Sequence, residues 1–330
     1  MIKKFSLEIR DLTNFHYKRC LEYKKILDSI NYNLKNQNLE LQPFIPVNLF
    51  KFQKLLSVPE KKVIKILQSS GTTGSERSKI YLDKANAINQ KKALIDLAKD
   101  IFTRDRIPML IIDQNPINAD KKNLEARLAG IFGFSIFGKE YTYLLDKDGS
   151  IDYESLNIFL RKFSKKKFLI FGFTSFIFEY LITKLKNKYD FKNGILIHGG
   201  GWKKLKEKYI NNLEFKNLLR KKINLNEIYN YYGLVEQTGS IFFECKYCGC
   251  FHSTKYSKVL IRDSNLNILK KGKGMIQIIS SVPKSYPGHN ILTEDLGEIV
   301  NNNCICKKYG NRFKIHGRIE KSEIRGCSNI

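Results

Sequence analysis

The sequence predicts an α/β protein, layered around a largely parallel sheet, and three observations carry that prediction. From Val63 to about residue 221, short apolar runs alternate with longer stretches suited to helices. Two glycine clusters, Gly71 with Gly74 and Gly199 with Gly200 and Gly201, directly follow apolar runs. Those are the carboxyl ends of strands, where parallel sheets bind ligands. After about residue 225 the texture changes to strand-like pieces separated by short turns, which predicts a β-rich portion.

Taken in order, residues 1–60 form a helical N-terminal segment, with a helix over 21–36 and loops around Pro43, Pro46 and Pro59, packing on the main domain. A strand at 63–67 leads into the first glycine loop, and a helix follows at 84–102. Next come a strand at 109–112, a helix near 122–132, short strands within 134–145, a helix at 152–165, a strand at 168–171 and a helix at 175–188. The strand 195–197 ends in GGGW and precedes a helix at 203–221. Strands at 228–232, 240–243, 257–261 and 274–280 make up the β-rich part, about 225–316, of a main domain spanning 61–316; residues 317–330 form a short tail. No internal repeat or long linker interrupts the chain.

Composition excludes several classes. Hydrophobic content of 42% describes a globular chain, not a disordered one. The longest nearly apolar stretch, 168–182, contains Glu179 and falls short of the roughly 20 residues a membrane span needs. Lysines near the N-terminus are not followed by an apolar export segment, so the expected location is cytoplasmic. The net charge of +26 comes from lysines spread along the chain. Without an arginine–aromatic stripe or a nucleic-acid module, it reads as a basic surface that attracts nucleotides, with no specific nucleic-acid partner. An odd count of seven cysteines, most of them clustered, argues for metal or thiol chemistry over a disulfide framework.

Residues 69–74 read SSGTTG. Gly71 and Gly74 let the backbone approach an anion so that successive N–H groups point at it. Ser69, Ser70, Thr72 and Thr73 add hydroxyl donors, and Arg77 and Lys79 add positive charge. Lys79 lies in the wrong place for the G-x-x-x-x-G-K-[ST] loop, so on its own the stretch reads either as a phosphate-holding turn of another kind or as a Ser/Thr/Gly-rich surface turn without a ligand.

Four further segments follow in order: HGGGW at 198–202, YGLVE at 232–236, TEDLG at 293–297 and GRIEKSEIRG at 317–326. Together with SSGTTG they resemble the adenylate-forming enzymes, the superfamily of acyl-CoA synthetases and luciferase. HGGGWKK, YYGLVEQTGS, SYPGHNILTEDLGEI and GRIEKSEIRGCSNI look more closely like the LuxE-type acyl-protein synthetases. The resemblance covers 69–330. It implies an adenylate-forming domain lacking the large mobile C-terminal domain, and a ligase that uses ATP and Mg²⁺ to join a carboxylic, fatty acid to AMP and then to a protein thiol.

The resemblance also implies roles. SSGTTG with Lys79 would stabilise departing pyrophosphate. Tyr232 would stack on adenine, with Gly199, Gly200 and Gly201 forming the opposite wall of the base pocket and His198 and Gly233 among the nucleotide-binding residues. Glu236 would help hold Mg²⁺, although Val235 replaces the usual preceding threonine. Asp295 would accept hydrogen bonds from the ribose hydroxyls, with Arg318 near that sugar. Cys327 would carry the acyl group as a thioester, with Arg325 two residues away lowering the thiol pKa from about 8.5. An acyl reductase of the LuxC type, or a carrier protein, is the implied partner. Two alternatives stay open: a ligase of the phenylacetate-CoA ligase type that delivers to coenzyme A or a carrier, and a zinc-containing basic binding or scaffold protein with degenerate nucleotide motifs.

Cys245, Cys248, Cys250 and His252, followed some fifty residues later by Cys304 and Cys306, give six soft ligands in two groups, the pattern that closes a structural tetrahedral Zn²⁺ site. Phenylacetate-CoA ligase-like proteins carry a similar arrangement. Cys304 and Cys306 are the expected pair from the second group, with Cys245 and either Cys250 or His252 from the first.

Overall fold

A computed structural model describes residues 2–69, 76–102, 105–117, 120, 122–201, 210–301, 304–306, 308 and 310–319. Two helices open it, α1 (Ile2–Arg19) and α2 (Leu21–Ser29). The expected helix at 21–36 stops early because Asn31 takes a left-handed φ of 48° and the Asn33 side chain accepts from the Lys35 N–H at 2.9 Å, a local turn that competes with helical bonds. The earlier helix, α1, was not expected. Its buried Phe5, Ile9 and Leu12 recur at helical spacing and pack against Ile279.

Then follow β1 (Ile45–Pro46), α3 (Leu49–Phe52), β2 (Val63–Gln68), β3 (Lys79–Asp83), α4 (Lys84–Leu97), β4 (Ile107–Gln114), β5 (Asn123–Glu125), α5 (Ala126–Phe134) and β6 (Gly138–Leu145). Next are α6 (Tyr153–Phe163), β7 (Phe168–Phe173), α7 (Thr174–Phe176, continued by a π-helical stretch Ile177–Lys184), β8 (Gly194–Gly199), α8 (Asn212–Ile223) and β9 (Glu227–Tyr232). The chain finishes with β10 (Phe242–Phe243), β11 (Phe251–His252), β12 (Ser257–Arg262), β13 (Lys273–Ser280), β14 (Asn290–Val300) and β15 (Arg312–Arg318). Among the described residues no helix is long and apolar enough to cross a membrane.

The chain divides into two compact units. One comprises Met1–Leu97, Lys121–Glu125 and Gly233–Ile330; the other comprises Ala98–Asp120 and Ala126–Tyr232. In the second unit β6, β4, β7, β8 and β9 lie side by side in that order, all parallel. β4, β7 and β8 are buried along nearly their whole length, which is why they read as unbroken apolar runs. α6 shows how the flanking helices are specified. Asp152 caps its start by accepting from the Ser155 N–H at 2.8 Å, and Leu156, Phe159, Leu160 and Phe163 form the buried stripe. The strand expected at 228–232 among the β-rich pieces proves to be β9, which pairs in parallel with β8.

The first unit holds an antiparallel sheet ordered β11-β15-β14-β13-β12, with β1 added in parallel on β14. A smaller sheet runs β3-β2-β5. β2 and β3 are antiparallel, with Gln68 opposite Lys79. The SSGTTG stretch therefore connects two strands of a hairpin and does not lead straight into a helix.

Candidate active site and cysteine cluster

In the second unit the HGGG turn sits at the carboxyl end of β8. Gly199 lies opposite Tyr231 of β9, and a Cβ at Gly199 would come within 2.5 Å of the Tyr231 ring. Gly200 turns with φ +75°, a conformation that side chains disfavour, and its own Cβ would meet Phe173 at 2.8 Å. Gly201 faces open space. The three glycines thus answer three demands: close packing, a left-handed turn and a bare ledge. Tyr231 packs in an aromatic cluster, its ring centroid 4.9 Å from Phe134 and 6.3 Å from Phe171. Tyr232, next along β9 at the same edge, is half-buried.

His198 is buried, with its ring 4.9 Å from Phe215 and Nδ1 3.0 Å from the Thr174 hydroxyl. Burial, and then the charge of Lys216, push its pKa down to about 3, so the imidazole is neutral. Thr174 Oγ1 also lies 3.1 Å from the Gly199 carbonyl and so links the buried ring to the turn.

In the first unit, Ser69 and Ser78 close the base of the glycine loop. The Ser69 N–H donates to the Ser78 carbonyl at 3.1 Å, and the Ser78 N–H donates to Ser69 Oγ at 3.0 Å. Lys79 is exposed next to this base, opposite Gln68, and Arg77 pairs with Glu125. Ser70, Gly71, Thr72, Thr73 and Gly74 lie outside the described residues, as does Cys327.

Glu236 sits in the short turn Val235–Gln237 and is only 6% exposed. Burial pushes its carboxyl pKa above the ordinary range, while Ser78, Arg318 and Lys51 act in the other direction. On the neighbouring sheet Asp295 lies opposite Arg318, with Nε 3.3 Å from Oδ1. The Asp295 N–H is fixed by Thr293 Oγ1 at 3.1 Å. Glu236, Asp295 and Arg318 come from three separate motifs, and the electrostatic reach of Arg318 includes both acids. Ser78 and Lys51 also act on Glu236, but neither belongs to a motif, and no sequence signal marks them. Gly233 precedes this turn, near Ile241.

The cysteine-rich turns also converge. The Cys245 N–H donates to the Cys250 carbonyl at 2.9 Å, and the Gly249 N–H to the Cys245 carbonyl at 2.8 Å, forming a tight knuckle between β10 and β11. Cys245 Sγ lies 3.8 Å from Cys304 Sγ, and Cys306 Sγ lies 3.6 Å from His252 Nε2. The donors of Cys245, His252, Cys304 and Cys306 all fall within 4.8 Å of one another. Tetrahedral zinc, with Zn–S about 2.3 Å and Zn–N about 2.0 Å, would space sulfur pairs about 3.8 Å and sulfur–nitrogen pairs about 3.5 Å apart. The donor set fits. Cys248 adds a fifth donor, 3.7 Å from His252 Nε2. Cys250 stands outside this group; its thiol donates to the Cys248 carbonyl at 3.5 Å. Hydrogen bonds from Cys306 bring the Cys304 thiol down to about 7, and burial pushes Cys248 up to about 12.

A parallel layered unit with a glycine turn at its carboxyl edge, joined in one chain to an antiparallel unit carrying buried acids, defines a class: this is the fold of adenylate-forming enzymes. The structure is similar to an open conformation of 2-hydroxyisobutyryl-CoA ligase with a TM-score of 0.72, at 10% identity, over 95% of this chain and 69% of that one. The acyl-protein synthetase family, LuxE, matches residues 1–330, and the chain belongs to that family. Two relatives are named long-chain-fatty-acid–luciferin-component ligase. The one from Aliivibrio fischeri is 24% identical over 304 residues, covering 88% of this chain and 77% of the relative. The one from Vibrio harveyi is 20% identical over 333 residues, covering 97% and 85%.

Proposed function

We propose that this protein activates a carboxylic acid of the fatty class with ATP and passes the acyl group to a protein cysteine thiol. The family match over the whole chain carries this reading. In the first step a carboxylate oxygen attacks the α-phosphorus of ATP and pyrophosphate leaves; in the second a thiolate attacks the acyl carbon and AMP leaves. The hairpin loop closed by Ser69 and Ser78, with Lys79 next to its base, would cradle pyrophosphate. Tyr232, with the bare ledge at Gly201, would take adenine, and Asp295 with Arg318 would take the ribose. Glu236 offers a hard oxygen suited to Mg²⁺, which when bound neutralises phosphate charge.

Cys327 is the proposed acyl carrier, and an acyl reductase of the LuxC type the proposed recipient. Zinc held by Cys245, His252, Cys304 and Cys306 would pin two turns of the antiparallel unit, and the sulfur spacing supports it. Carboxylate-dependent ATP–pyrophosphate exchange over a panel of acids tests the reading. Exchange is expected with fatty acids, and its absence with every acid would sink it.

A further inference from the structure

Two imidazoles are stacked in the interior of the first unit, one from the N-terminal helix α1 and one from the segment that precedes TEDLG. His16 of α1 and His289, just before β14, have ring centroids 4.9 Å apart and planes within 23° of parallel. Neither is exposed. His16 Nδ1 lies 2.7 Å from Ser57 Oγ. His289 Nε2 lies 3.0 Å from Thr13 Oγ1 and 3.5 Å from the Tyr23 hydroxyl, so both N-terminal helices grip it. Burial drives both rings to the neutral form, His289 to about 3 and His16 well below its ordinary value. Hydrogen bonds that satisfy buried polar groups rigidify their surroundings.

The loop that His289 ends is tied down along its length. The Ser57 N–H donates to the Ser285 carbonyl at 2.8 Å, Ser285 Oγ donates to the Tyr81 carbonyl at 2.8 Å, and the Ser285 N–H donates to Asn86 Oδ1 at 3.2 Å. Directly before His289, Gly288 lies against the turn that bears Glu236. The Gln237 amide donates to the Gly288 carbonyl at 3.0 Å, and a Cβ at Gly288 would come within 2.8 Å of the Glu236 carbonyl oxygen. A continuous path of contacts therefore runs from α1 and α2, through His289 and Gly288, to the backbone of Glu236.

We infer that His289, clamped by His16, Thr13 and Tyr23, is a positioning residue for Glu236, and that the N-terminal helices thereby set how well the site holds its divalent cation. This rests on the proposed role of Glu236. A carboxylate held by burial has little freedom to re-aim, so a small shift of its turn is felt directly in the geometry it offers a metal.

The experiment uses Thr13→Val, which removes a hydroxyl at nearly constant volume, and His289→Gln, with His289→Ala as the harsher variant. Two quantities are read on the full chain: the Mg²⁺ concentration for half-maximal ATP–pyrophosphate exchange, and, without nucleotide, amide hydrogen exchange of peptides covering 234–240. In Thr13→Val and His289→Gln the half-saturating Mg²⁺ is expected to rise by about tenfold, the lower range for groups that orient a metal ligand, and the 234–240 amides to exchange faster. Either quantity staying at the wild-type value in both variants overturns the inference while leaving adenylation intact. A wild-type protein that shows no exchange at any Mg²⁺ concentration removes both readings together.

Discussion

Burying the Glu236 carboxyl favours its protonated form, yet a carboxylate offered to Mg²⁺ must be ionised. Its folded pKa lies above the unfolded one, so the folded chain binds the proton more tightly. The group adds its full share of stability below the unfolded pKa and loses that share as pH rises through the folded value. Glu236→Gln keeps the shape and removes the charge. It is expected to melt at a higher temperature than wild type at pH 7, with the gap closing toward pH 4.5, while exchange activity falls by at least about a hundredfold. Melting curves at the two pH values together with exchange rates check both halves. Gly199 and Gly201 make a second contrast within one turn. A methyl at Gly199 meets the Tyr231 ring, which Phe134 and Phe171 hold in place, so Gly199→Ala is expected to cost about 1–3 kcal/mol of stability. Gly201→Ala, with open space around it, is expected to leave the denaturation midpoint unchanged.

Elements buried on both faces were the legible ones. β4, β7 and β8 announce themselves because a central parallel strand, buried on both faces, reads as a nearly continuous apolar run. β3 was harder: only Ile80 and Leu82 are buried, and the period-two pattern is too short to stand out beside the glycine loop. α1 hid behind its lysines, since its buried stripe is interleaved with Thr13 and His16, polar residues whose partners, Gln42, His289 and Ser57, lie far along the chain. The same limit applies to the site. Glu236, Asp295 and Arg318 could be named from local motifs, whereas Ser78, Lys51 and the stacking of His16 on His289 act through long-range packing that no local pattern records. The cysteine turns lie between these cases. Spacing gave two groups of donors, but only folding places Cys250 against a backbone carbonyl and Cys245 against Cys304. Cys245→Ser is therefore expected to bring purified protein to well below one zinc per chain, and Cys250→Ser to keep its metal, by elemental analysis of both variants beside wild type.

At the scale of the whole molecule, activation and transfer make different demands on the chain. Activation needs anion-holding backbone, a hard oxygen ligand and a base pocket, and the residues proposed for them are distributed from Ser69 to Arg318. Transfer needs a single thiolate, proposed at Cys327 with Arg325 nearby. The two steps should therefore separate under mutation. Cys327→Ser is expected to retain carboxylate-dependent pyrophosphate exchange within about twofold of wild type, because no nucleotide-binding group is altered, while losing acyl loading of the protein. They should also separate in pH. Loading should rise with pH until the attacking thiol is ionised, since only the thiolate is the nucleophile. Exchange, which needs no thiolate, should stay level over the same interval. Intact-mass measurement of loading beside exchange assays from pH 6.5 to 9 reads both, and equal loading of the Cys327→Ser and wild-type chains would assign the acyl group to another acceptor.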